Sequence, residues 1–104
     1  NVPLLYSDDI NSPFLYDWIN SQNVDLIIQR VDQILGNKLL SLPKFGCWCI
    51  HSSLLPSYKG IAGEFHAMRN LENVIGSTVF QVSEQLDEGY TINQHSIKPT
   101  GDLL

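Results

Sequence analysis

One short run concentrates groups that can do chemistry: Cys49-Ile50-His51-Ser52-Ser53-Leu54-Leu55-Pro56-Ser57-Tyr58-Lys59-Gly60, where an apolar stretch breaks into an imidazole, two hydroxyls and a basic glycine turn. If the residues before it form a strand, alternation puts Cys47, Cys49 and His51 on one face and Trp48 and Ile50 on the other. Three chemistries compete for that face. A Cys-x-Cys-x-His metal site needs converging ligands, but same-face neighbours on a strand stand roughly 6–7 Å apart, and no fourth ligand is suggested. No metal is expected. A thiolate nucleophile at Cys49, held by His51, needs an electropositive surround that the neighbouring residues do not supply. Cysteines in a sheet are commonly small buried hydrophobes, and that is the reading for Cys47.

A second polar cluster is Ser83-Glu84-Gln85-Leu86-Asp87-Glu88-Gly89. Glu84 and Glu88 read as a solvated turn. Asp87 differs, because Leu86 before it can anchor the loop and Gly89 after it allows a tight return. A carboxylate here and an imidazole at His51 make a plausible pair across 36 residues of sequence. Such a neighbour fixes the ring and favours its charged form. His66 and His95 read as surface residues, and Trp48 and Tyr58 as packing residues rather than cofactor stackers.

Elements to position these groups follow from periodicity. Val2–Tyr6 is a short apolar run expected to be a strand, and Asn11-Ser12-Pro13 is a cap with proline at the first helical position. Phe14, Leu15, Trp18 and Ile19 recur at helical spacing over residues 13–21. Val24–Ile28 reads as a buried parallel strand, and Ile34, Leu35, Leu39 and Leu42 as a helix stopped by Pro43. Gly46–His51 is the next strand, and residues 63–73 a helix. STVFQVS and YTINQHSI then form a hairpin around the Asp87 loop. The order is that of an α/β sheet, which binds ligands beyond the carboxyl ends of its strands, where His51 lies.

Composition excludes several classes. With 104 residues, 43% of them hydrophobic and 16% charged, the chain fits one small globular domain. Six basic against eleven acidic residues leave a net charge of -5, with no basic cluster to meet a phosphate backbone, so no nucleic-acid contact is expected from this segment. Apolar runs of four or five residues are too short for a membrane span. Two cysteines, two apart on one strand face, are poor partners for a disulfide, which leads to the expectation of a cytoplasmic protein.

IHSSLLPSYKG followed by QLDEG resembles the formyltransferase family that uses N10-formyltetrahydrofolate. The likeness extends through INSPFLYDWIN, VDLIIQRVDQIL and SLPKFGCWCIH to GSTVFQVSEQLDEGYTINQ. It implies an α/β Rossmann-like formyltransferase fold, a mostly parallel sheet with a terminal hairpin, incomplete at its N-terminus. Residues 1–104 would form a single domain, the C-terminal half of the catalytic domain. Members formylate glycinamide ribonucleotide, methionyl-tRNA or amino sugars, and related deformylases hydrolyse the donor. The resemblance implies one-carbon transfer from N10-formyltetrahydrofolate, as co-substrate, to a small-molecule or aminoacyl amine, with a homodimer among the expectations.

By position, His51 matches the family's histidine and Asp87 its aspartate. Cys49 stands where the family motif has asparagine, which would give an oxyanion a hydrogen bond that a thiol supplies only weakly. Either serine, Ser52 or Ser53, offers a substitute donor, and Ser52 stands where many members have proline. Ser52, Ser53, Leu55 and Pro56 match the supporting loop, and Lys59-Gly60 a basic-glycine turn. Folate is expected between the loop from Gln29 to Leu35, including Arg30 and Val31, and the loop of Ser83, Glu84, Leu86 and Gly89. Hydrolysis of the donor and an inactive folate- or partner-binding member are the alternatives, Cys49 being the support for the latter.

Overall fold

A computed structural model describes residues 2–60, 62–84 and 89–99. The elements are α1 (Pro13–Ser21), β1 (Ile27–Gln29), α2 (Asn37–Leu40), β2 (Cys47–His51), α3 (Gly63–Arg69), β3 (Ile75–Gln81) and β4 (Thr91–Ile97). Helix α1 starts where the sequence says it should, with Pro13 in its first turn and the Ser12 hydroxyl accepting the Leu15 N–H at 3.1 Å.

The four strands lie in the order β1-β2-β3-β4. β1 and β2 are parallel, with Ile27 beside Cys47 and Gln29 beside Cys49. β2–β3 and β3–β4 are antiparallel. The α/β class and the terminal hairpin are as expected, but the mostly parallel sheet is corrected to a mixed one. The connection after β2 closes on itself, with the Tyr58 hydroxyl bonded to Asn70 and Glu72 just before β3. β3 enters near the end that β2 has just left, with Thr78 beside His51.

Three further boundaries move. Val2–Tyr6 forms no strand: Pro3 has no N–H for a ladder, and Val2, Leu4 and Tyr6 are exposed. α3 ends at Arg69 because Leu71 turns left-handed, at φ 58°. The helix around Leu39 shrinks to Asn37–Leu40, between Gly36 and the Ser41 cap.

The core sits where α1 and α2 cover β1 and β2. Leu35, Leu39 and Cys47 are buried together, with Ile10, Tyr16, Ile19, Ile27, Leu40, Leu42 and Val82 around them. Cys47 is completely buried, as expected of a small hydrophobe, and desolvation raises its thiol pKa. Trimming this cluster is expected to be costly: Leu39→Ala should lower stability by about 2–5 kcal/mol in urea denaturation, whereas truncating the exposed Phe14 should do little.

Candidate functional site

β2 delivers its polar face as alternation requires. Cys47, Cys49 and His51 are all buried, while Trp48 is half-buried and Ile50 exposed. His51 is the last residue of the strand, and its Nε2 lies 2.8 Å from the Tyr58 carbonyl oxygen. A carbonyl only accepts, so Nε2 carries the proton and donates it there. In the neutral ring Nδ1 is then the acceptor nitrogen.

The loop after His51 is held from the neighbouring strands. Thr78, fully buried on β3, donates its hydroxyl to the Ser53 carbonyl at 2.7 Å and accepts the Leu55 N–H at 3.0 Å. Gln94 of β4 donates to the same hydroxyl at 3.0 Å and to the Leu55 carbonyl at 2.9 Å. His51, Thr78 and Gln94 are one cross-strand row. The chain folds back on itself further along: Gly60 has φ +96°, a backbone state that favours glycine. Lys59 and Pro56 are exposed, and Leu55 is half-buried.

The serine hydroxyls are engaged. Ser53 is buried and gives its proton to the Ser57 carbonyl at 2.5 Å. Ser52 is half-buried, and its hydroxyl is the first cause of the lowered Glu64 pKa in the first turn of α3. The Ser53 hydroxyl has no second proton with which to replace an asparagine amide.

Glu64 itself is a carboxylate that the sequence reading assigned no role. Its pKa is held below the usual range, first by the Ser52 hydroxyl, then by a backbone N–H, with smaller contributions from His51 and Arg30.

On the other side, a pocket of about 70 Å³ is lined by Gln29, Val31, Asp32, Gln33, Ile34, Leu35, Cys49, Phe80, Val82 and Ser83. The two loops singled out in the sequence therefore meet, and Cys49 lies on the wall between them. The first loop is stapled by side-chain amides. Gln33 accepts the Ile10 N–H at 2.7 Å and donates to the Asp8 carbonyl at 2.9 Å. Asn11 donates to the Ile34 carbonyl at 2.9 Å and accepts the Gly36 N–H at 2.7 Å. Gln29 accepts the Val31 N–H at 2.8 Å, which takes one backbone group of the loop.

Arg30 and Glu84 are exposed and Ser83 half-buried. At Gly89 a Cβ would come within 1.3 Å of the Gln81 carbonyl, so only glycine closes this hairpin. Leu86 and Asp87 lie outside the described residues. Among the described residues no three of His, Cys, Asp and Glu converge as a metal set, and no helix is long and apolar enough to cross a membrane.

Sequence reasoning missed Thr78, Gln94, Gln33 and Glu64. Only Thr78 left a signal, as a hydroxyl at an inward position two residues before buried Phe80. His66 and His95 are exposed, as read. Tyr58, expected to pack, is instead held by its hydroxyl, between Glu72 and Asn70.

Two outcomes follow. Thr78→Val preserves shape but leaves the Leu55 N–H and Ser53 carbonyl without their partner, and should cost about 1–3 kcal/mol in urea midpoint measurements. Ser52→Ala acts on pH dependence. The lowered folded-state pKa of Glu64 adds stability above its unfolded value, lost as pH falls through the folded value. Because Glu64 is exposed, the variant should lose only a few tenths of a kcal/mol near neutrality, with the difference from wild type closing in acid.

Residues 10–101 match the family model described as formyl transferase. A methionyl-tRNA formyltransferase from Thermotoga neapolitana is 39% identical over 85% of this chain and 28% of its own length. The solved phosphoribosylglycinamide formyltransferase of Bacillus halodurans superposes with a TM-score of 0.77 at 25% identity, covering 86% of this chain and 47% of that one. A formyltetrahydrofolate deformylase from Pseudomonas syringae gives a TM-score of 0.74 at 26% identity, over 85% of this chain and 30% of its own. The chain thus spans under a third of the curated relative's length and about half of the first solved structure. Carrying the family's match along most of its length, the chain belongs to the formyl transferase family.

Proposed function

We propose that this chain is part of the catalytic domain of an enzyme that moves a formyl group from N10-formyltetrahydrofolate to an amine. Residues 1–104 are read as the second half of that domain. The observation that carries the reading is the pocket walled by the Gln29–Leu35 loop, Cys49 and Ser83, with His51 two residues beyond Cys49 on the same buried strand face. The folate donor would lie against Gln29, Arg30, Val31, Ser83, Glu84, Leu86 and Gly89, and the formyl group near Cys49, His51 and Asp87.

The amine attacks the formyl carbon and the carbonyl π pair becomes an oxyanion. Collapse re-forms the carbonyl and breaks the bond to N10, which leaves with a proton as tetrahydrofolate. With Nε2–H on the Tyr58 carbonyl, Nδ1 of His51 is the nitrogen that takes or gives the mobile proton. Asp87 is read as the carboxylate partner of His51, by its match to the family's aspartate. At Cys49 a thiol stands where an amide would donate to the oxyanion, and loss of one such donor slows turnover by about 10²–10³. The methionyl-tRNA formyltransferase likeness favours an aminoacyl amine as acceptor. The net charge of -5 puts any nucleic-acid part of such an acceptor away from this segment.

Hydrolysis of the donor is the second reading, favoured by the likeness to a formyltetrahydrofolate deformylase. The test is release of tetrahydrofolate by the full-length protein given N10-formyltetrahydrofolate. Release that depends on an added amine is expected, release without amine supports hydrolysis, and none in either case overturns both. His51→Ala should slow release by about 10²–10⁴. Cys49→Asn should raise the rate at least about tenfold by restoring a donor; an unchanged rate means the missing donor was not at residue 49.

A further inference from the structure

Tyr58 is bound at both ends. Its carbonyl accepts the His51 Nε2–H at 2.8 Å. Its hydroxyl donates to Glu72 at 2.8 Å and accepts from Asn70 at 3.0 Å, two residues that follow α3. Between these ends its backbone is left-handed, at φ 55°. A bulky side chain in that state costs about 1–2 kcal/mol, so the conformation needs a restraint, and the tie to Asn70 and Glu72 is one. α3 is also close-fitted to the loop: at Gly63 a Cβ would lie 2.8 Å from the Ser52 carbonyl and 3.1 Å from that of Tyr58.

We infer that Tyr58 is a positioning residue, a clamp through which Glu72 and Asn70 aim a carbonyl at His51 and thereby set which ring nitrogen carries the proton. The consequence is directional. A carbonyl held 2.8 Å from Nε2 excludes the Nδ1–H tautomer, because that form would set two lone pairs against each other across a buried contact. The basic nitrogen is then always Nδ1. Release of the clamp lets the Tyr58 backbone relax, the carbonyl swing away and the ring populate both tautomers, only one of which presents its base correctly.

The catalytic part of this inference rests on the formyl-transfer reading, whereas the clamp itself is a structural claim, and the experiment separates them. Full-length protein with ¹⁵N-labelled histidine is followed by NMR near neutral pH, His51 being assigned from a His51→Gln variant. Wild type is expected to show the Nε2–H tautomer alone. Tyr58→Phe should show averaged nitrogen shifts, with turnover down about tenfold, the worth of one hydrogen bond, and KM for the formyl donor unchanged. Glu72→Gln, which keeps an acceptor for the hydroxyl, should behave as wild type. Folded Tyr58→Phe protein with His51 shifts identical to wild type overturns the clamp. Should Tyr58→Phe not fold, Glu72→Ala, at an exposed position, is read by the same two criteria. Averaged shifts on release in a protein without turnover would leave the clamp standing and remove the formyl-transfer reading instead.

Discussion

The Thr78 hydroxyl is the point on which the site depends. It is fully buried in the middle strand of an antiparallel trio and makes three hydrogen bonds, to the Ser53 carbonyl, the Leu55 N–H and the Gln94 amide. Those bonds convert the register of a sheet into the position of a loop. A strand alone fixes His51 only as far as its Cα; the residues that close around its imidazole belong to the loop, which has no ladder of its own. An oxygen that can donate once and accept twice, placed beside His51 in the row, satisfies the loop's backbone where water cannot reach.

The fold was legible where local chemistry decides it and misleading where long-range geometry does. The Ser12-Pro13 start of α1 and the alternation of Cys47, Cys49 and His51 depend on neighbours in sequence, and they are found as read. The direction of β3 depends on where the connection after β2 brings the chain back to the sheet, which apolar periodicity does not measure. Val2–Tyr6 has the composition of a strand, but a strand also needs an edge to pair with. Of the site, the histidine, the cysteine and the two loops announced themselves as polar or glycine-marked breaks in apolar runs. Gln94 and Glu64 did not, because a glutamine on an exposed strand and a glutamate in a first helical turn have the same local sequence whether or not they reach a loop.

Ser53 shows how a hydroxyl is judged by its neighbours' obligations. Its single proton is spent on the Ser57 carbonyl, and the neighbouring Cys49 thiol lies 3.6 Å from the Ile50 carbonyl. A donor at a strand end counts only where its proton is unspent.

The amide staples of the other loop have a different consequence. Gln33 and Asn11 join residues 8–11 to residues 33–36 through four hydrogen bonds, and every side-chain atom in them belongs to a neutral amide. Amides neither titrate nor attract counterions. One wall of the pocket is thereby set in a geometry indifferent to acidity and ionic strength. That loop is held still by the choice of functional group, neutral amides, rather than by paired charges.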